Sequence, residues 1–380
     1  LRLTPDRILQ LANLLQVIGS AIALNLLLHI PLVAGCAITL VDVLVILIFY
    51  NPSGSMKRLR IFEFFVTALV LGVVICFCIE LAYIKGASVG HVFKGYLPSS
   101  AVVNGDGIYL SCGILGATVM PHSIFLGSGI VQSRLREYDI DNGIISLHSD
   151  EAGDIGKYRP SFSAIKSCMD YSIVELATCL FTFALFVNSA ILIVAGASLY
   201  DNSAAATADL FGIHALLSST LAPIAGTIFG LALLLSGTSA GIICTMAGQM
   251  VSEGMLNWTI APWLRRLITR IISIVPSIII AGAVGKEGLN QTLTASQVVL
   301  SVILPFVTAP LIYFTCREKF MMAPVSASPH SHVAEGNVQG AISGVNMKNG
   351  WITTAFAVLI WLVLAVMNVA LLILVGLGKA

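Results

Sequence analysis

Charge is what this sequence has least of. Asp, Glu, Lys and Arg make up only 10% of its 380 residues, against about 25% in ordinary soluble domains. A soluble chain of this length could not cover its core with so little polar surface, so a soluble globular class is excluded. A basic excess is absent too: twenty Lys and Arg oppose nineteen Asp and Glu, for a formal charge of +1. Nothing is left over to hold a phosphate backbone, which excludes nucleic acid as a partner. There is no P-loop, no Ser-His-Asp or Cys-His set and no zinc spacing, so the chain does not read as an enzyme and no bound cofactor is implied. Eight cysteines lie at 36, 76, 78, 112, 168, 179, 244 and 316, mostly inside apolar runs. Cys76 and Cys78, two apart, would point to different sides of a helix. The cysteines read as small apolar packing residues, with no disulfide framework. A secretory signal and an initiating Met are also missing at LRLTPDR, and a preceding N-terminal part is expected.

What is abundant is apolar sequence, 57% of positions with a mean hydropathy of +0.94. A bilayer core about 30 Å thick needs roughly 20 apolar helical residues. Nine runs qualify: 8–28, 30–50, 61–84, 107–131, 170–199, 213–236, 264–284, 293–316 and 351–377. Their continuous hydropathy lacks the alternation of barrel strands. The expected fold is therefore all-α, an integral multi-pass membrane protein with nine transmembrane helices in a single domain over 1–380. The stretches 132–169 and 317–350, the latter with His330 and His332, read as solvated loops or a partly disordered segment. With the N-terminus inside and sides alternating, sixteen basic residues fall inside and four outside, as the positive-inside rule expects. Plasma and internal membranes are not distinguished by the sequence.

Ionisable side chains inside apolar runs are expensive, which makes each one a candidate for function. Asp42, Glu80, His122 and Glu175 are of this kind, with Glu63 and Arg270 near run ends. For Glu63, Glu175 and Arg270 the ordinary reading is a helix–helix hydrogen bond or a snorkelling head group. Asp42 and Glu80 lie deeper, and structural pairing and a proton or ion route both stay open for them. The fourth run carries the sharpest signal. Pro121 has no N–H, so the carbonyl of Ala117 loses its donor at mid-membrane depth. Such a group is tolerated only in protein or beside a polar cavity. Met120 offers a thioether next to it and His122 an imidazole. An orphan carbonyl beside soft sulfur suits a transition-metal cation better than Ca²⁺ or Mg²⁺. An ordinary proline kink with Met120 filling the gap is the other reading.

GATVMPHS (116–123) with IFLGSGIVQSR (124–134) resembles the sixth-helix signature of the Nramp family of proton-coupled divalent metal transporters. VIGSAIALNLL (17–27) and IPLVAGCAITLVDVL (30–44) are similar to that family's third and fourth helices. AGQMVSEG (247–254) resembles its eighth, and LRRLITR (264–270) and ASQVVLSVILPF (295–306) its ninth and tenth. The resemblance runs through nearly the whole chain and is closest to fungal members. It implies an incomplete fold of the LeuT inverted-repeat type, the nine runs standing for family helices three to eleven. It further implies a metal site of the Ala117 carbonyl, the Met120 sulfur and the Gln297 amide. His122, Asn13, Gln16, Asp42, Glu80 and Arg270 would serve the proton pathway or gating. The implied activity is alternating-access transport of Mn²⁺ or Fe²⁺ with H⁺, the metal ion and the proton being substrates and the lipid bilayer a further partner, with protein partners left open. Two departures stand out. The family's helix-one motif, Asp-Pro-Gly-Asn, occurs nowhere in the chain, and amides at Asn13 and Gln16 stand where the family usually has acids. Both departures favour an alternative, a non-transporting membrane scaffold or signalling relative.

Overall fold

Prolines set two of the helix starts. The computed structural model describes residues 5–41, 56–85, 88–102, 107–145, 158–200, 202–256, 262–283, 285–324 and 344–377. In it Pro121 and Pro223 are each the first residue of a helix. A missing N–H is harmless there, because first-turn donors have no intrahelical acceptor. The helices are α1 (Pro5–Leu28), α2 (Leu32–Ile38), α3 (Met56–Tyr83), α4 (Val89–Gly95), α5 (Gly107–Thr118), α6 (Pro121–Asp141), α7 (Phe162–Leu199), α8 (Leu210–Thr220), α9 (Pro223–Leu256), α10 (Pro262–Ala283), α11 (Gly285–Thr315) and α12 (Trp351–Gly376). Within α7, Leu180–Ala184 form one wider π-helical turn.

The nine-span expectation is overturned. Among the described residues, five helices are long and apolar enough to cross a membrane: Arg60–Tyr83, Phe162–Leu199, Pro223–Gly248, Thr292–Thr315 and Trp351–Gly376. A sixth is reached only if Gln16–Leu28 and Leu32–Ile38, bent by 117°, count as one span. The runs 8–28 and 30–50 meet at that bend; residues 42–50, with Asp42, lie outside the described residues. The run 107–131 breaks after Thr118, and 213–236 is cut between Thr220 and Pro223. Within 264–284, Arg270–Ala283 counts as a shorter apolar helix. A hydropathy window sums side chains and is blind to where the backbone breaks, which is why these pieces counted as spans. The inside–outside tally of basic residues counts nine crossings and falls with them. The two presumed loops also shrink. The helix from Pro121 runs on to Asp141, the next described helix begins at Phe162, and β1 (Met322–Pro324) pairs antiparallel with β2 (Gly344–Asn346) inside 317–350.

At the bend His29 adopts a left-handed conformation with φ 57°, uncommon for a residue with a Cβ. Asn25 steadies it by donating its side-chain amide to the Ile30 carbonyl at 2.7 Å. Gly35 then lets α2 fold back on α1, since a Cβ there would sit 3.0 Å from the Ala21 Cα.

The chain forms two compact units. In the first, Leu1–Leu126 with Ala177–Ser301, the core joins Val17, Ile18, Ala21 and Ile22 of α1 to Cys36 of α2 and Ile274 and Ala281 of α10. Gly237 of α9 lies against Ser20, where a Cβ would come within 2.5 Å of the hydroxyl. A second cluster sets Val73, Cys76 and Phe77 of α3 against Ala190 of α7 and Ala232 of α9.

The second unit, Gly127–Leu176 with Val302–Ala380, is organised by polar contacts. Trp361 donates its indole N–H to the Pro305 carbonyl at 2.9 Å. Asp139, fully buried, accepts from the Tyr158 hydroxyl at 2.6 Å, from the Ser161 amide at 3.0 Å and from the Ser161 hydroxyl. Ser161 Oγ in turn accepts from the Ala164 amide at 3.1 Å, capping α7 as serine does at helix starts. Burial, and then the Asp139 carboxylate, push the Tyr158 phenol well above its ordinary pKa. The sign follows from linkage: above about pH 10 the unfolded chain loses this proton while the folded one keeps it, so alkali favours unfolding. Unfolding followed against pH should therefore show stability falling above about pH 10, with a shallower fall in Tyr158→Phe; equal slopes in the two proteins would contradict it.

Candidate metal-ion site

The polypeptide between α5 and α6 is open for two residues. The Val119 amide still reaches the Leu115 carbonyl at 2.9 Å, which closes the last turn of α5, and the Ser123 amide donates to Met120 O at 3.1 Å in the first turn of α6. Between these bonds stands Pro121, whose ring nitrogen cannot donate to the Ala117 carbonyl. Thr118 turns its hydroxyl back to the Ile114 carbonyl at 2.8 Å, a local bond that competes with the helix ladder. Ala117 is exposed and Met120 half-buried, so both can be approached by an ion.

A glycine decides what lies opposite. A Cβ on Gly116 would fall 2.0 Å from the Gln297 carbonyl oxygen and 2.8 Å from the Ser301 nitrogen. Only a residue without a side chain allows α5 and α11 to come this close. One turn earlier, Gly113 has Val298 at 3.7 Å, and the buried Cys112 hydrogen-bonds the Ser301 side chain. This contact brings Gln297 to the residue that precedes Ala117. The Gln297 side-chain oxygen Oε1 is buried and has no hydrogen-bond partner among the described residues. An unsatisfied buried acceptor is rare and calls for a reason. An amide oxygen is a hard neutral donor, and a cation supplies what a missing hydrogen-bond donor does not.

Ala117 and Gln297 are thus placed on facing segments, with Met120 three residues on from Ala117. The other sequence-derived positions lie elsewhere or outside the description. The side chains of Asn13 and His122 lie outside the described residues, as does all of Asp42. Gln16 is half-buried on α1. Arg270, 1% exposed, donates from Nη2 to the Thr39 carbonyl at 3.3 Å. Glu175 pairs with Arg134 of α6 through both carboxylate oxygens. Glu80 is buried on α3, in the cluster with α7 and α9 rather than beside the break. Among the described residues, no group of three His, Cys, Asp or Glu could hold a metal ion. The local donor set is therefore neutral: a carbonyl, a thioether and an amide oxygen.

One buried polar group escaped the sequence reading. Ser20 is 3% exposed, one turn beyond Gln16, and its hydroxyl has no partner among the described residues. The spacing of Asn13, Gln16 and Ser20 puts them on one helix face, which was the available signal.

Comparison with known proteins places the geometry in context. Residues 8–351 match the family described as natural resistance-associated macrophage protein-like. The manganese transporter SMF1 of Saccharomyces cerevisiae is 49% identical over 405 residues, covering 96% of this chain and 70% of the relative. The manganese transporter pdt1 of Schizosaccharomyces pombe is 50% identical, with 96% and 68% covered. The iron transporter SMF3 of Saccharomyces cerevisiae is 45% identical, with 96% and 78% covered. Among solved structures, the manganese transporter of Eremococcus coleocola in complex with an aromatic bis-isothiourea substituted compound is 27% identical. It superposes with a TM-score of 0.66, covering 96% of this chain and 71% of that one.

Proposed function

The chain belongs to the Nramp family, and from that premise we propose that it moves divalent transition-metal ions, Mn²⁺ or Fe²⁺, across a membrane with protons as the coupling ion. It is a multi-pass membrane transporter and not an enzyme; the metal is cargo. The whole chain serves as one transmembrane domain.

Two observations carry the site: the Gln297 backbone lies against Gly116, and the buried Gln297 Oε1 has no hydrogen-bond partner among the described residues. An ion entering at the break would be held by this oxygen, the Ala117 carbonyl and the Met120 sulfur. Broken helices with freed carbonyls are how transporters of many folds hold ions at mid-membrane depth. Sulfur sets the selectivity, because Ca²⁺ and Mg²⁺ gain little from a thioether while Mn²⁺ and Fe²⁺ accept it. Alternating access then needs one segment to move against another around the ion, and the two non-helical residues Val119 and Met120 supply a joint with few hydrogen bonds to break. Neutral donors compensate none of the dication's charge, so residence at this ligand set is short.

Met120→Ala tests the assignment. Mn²⁺ uptake by proteoliposomes should fall by about tenfold or more, in line with the 10–100-fold losses seen when even outer partners of metal ligands are removed. Ca²⁺ should compete better in the mutant. Unchanged uptake together with unchanged competition would remove Met120 from the site.

A further inference from the structure

Glu80 takes no part in the metal site, yet it is 0% exposed and neither of its carboxyl oxygens has a hydrogen-bond partner among the described residues. It continues, at helical spacing, the stripe of Val73, Cys76 and Phe77 that packs against Ala190 of α7 and Ala232 of α9, with Val187, Ile228 and Leu235 around it. No cation faces it. The titratable neighbour on its own helix is Cys76, one turn earlier. Residues Leu185–Leu199 of α7 carry no ionisable side chain, and α9 carries only Cys244 and Glu253, both beyond Ala232 toward the far end of that helix. Helix α8 adds His214, which meets α9 at Gly226, and no hydrogen bond joins it to Glu80. A fully buried carboxylate with no donor and no opposite charge among the described residues neutralises rather than persists.

We propose that Glu80 is a proton-binding site, held as the neutral acid while α3 is packed on α7 and α9 and released to water only when that packing opens. The proton is taken from water onto one carboxyl oxygen and returned to water from it, with no other bond changed. This deepens the proton-coupling reading above: Asn13 and Gln16 cannot titrate, whereas Glu80 can.

Infrared spectroscopy of the purified full chain in lipid nanodiscs tests it without requiring any metal uptake, so its failure is separate from a failure of the transport reading. At neutral pH the protein should show the carbonyl stretch of a protonated carboxylic acid, shifted when glutamate is ¹³C-labelled and lost in Glu80→Gln. A wild-type spectrum without that band, or a band untouched in Glu80→Gln, overturns the proposal. Should Glu80→Gln not fold, the labelled wild type decides alone. A labelled-glutamate band that disappears on unfolding at the same pH supports the proposal, and its absence from the folded protein overturns it.

Discussion

Gly116→Ala is expected to reduce Mn²⁺ uptake by proteoliposomes roughly a hundredfold, the scale that an ångström of misplacement produces at a working site. The new methyl carbon would lie 2.0 Å from the carbonyl oxygen of Gln297. That neighbour is backbone in the middle of α11, not the end of a flexible side chain, so no rotamer change relieves the clash. Helix α5 has to back away from α11, and Ala117 moves with it. The overpacking itself should cost about 1–3 kcal/mol of stability, measured as a lower unfolding temperature. Gly196→Ala in α7, where nothing lies within 4 Å of the added carbon, is the matched control and should transport normally. Wild-type uptake in Gly116→Ala would show that α5 and α11 do not meet as described.

The second large effect is expected far from the ion. Asp139→Ala should lower stability by about 2–4 kcal/mol, because it strands several donors at once. The carboxylate gathers the Tyr158 hydroxyl, the Ser161 amide and the Ser161 hydroxyl, and Ser161 in turn caps α7 through Ala164. Removing the acceptor leaves a half-buried amide and a half-buried phenol without this partner, and the cap loses its anchor. Asp139→Asn keeps an acceptor of the same shape and should cost less. Hydrogen exchange in the first turn of α7 would separate the two variants. Equal protection at Ala164 in Asp139→Ala and wild type would contradict the role given to this carboxylate.

The parts of this molecule that could be read from sequence are those one residue determines alone. Pro121 lacks an amide hydrogen in any surroundings, so the break after Thr118 and the freed Ala117 carbonyl follow from composition. Pro223 has the same property, but it sits inside an unbroken apolar run, and hydropathy concealed the cut it makes after Thr220. The features that needed coordinates are pairwise. Nothing in GATVMPHS announces that Gly116 touches Gln297, because the two are far apart in sequence and their meeting depends on how α5 lies on α11. The unpaired state of the Gln297 oxygen is a property of everything around it. Asp139 is a parallel case: in a polar stretch it looks like any solvated acid, and only the return of Tyr158 and Ser161 makes it a buried hub.

The wide turn at Leu180–Ala184 has a consequence for how α7 tolerates changes of length. Regular α-helix turns about 100° per residue, so losing a residue between Ala190 and Val194 would swing everything beyond it off its neighbours. The π turn holds one residue more than an α turn needs. Deleting a residue inside it lets the ladder close in the ordinary way while Ala190 and Val194 keep their bearings. Insertions and deletions in this helix should therefore be absorbed at that single ring, which works as an expansion joint in an otherwise rigid rod.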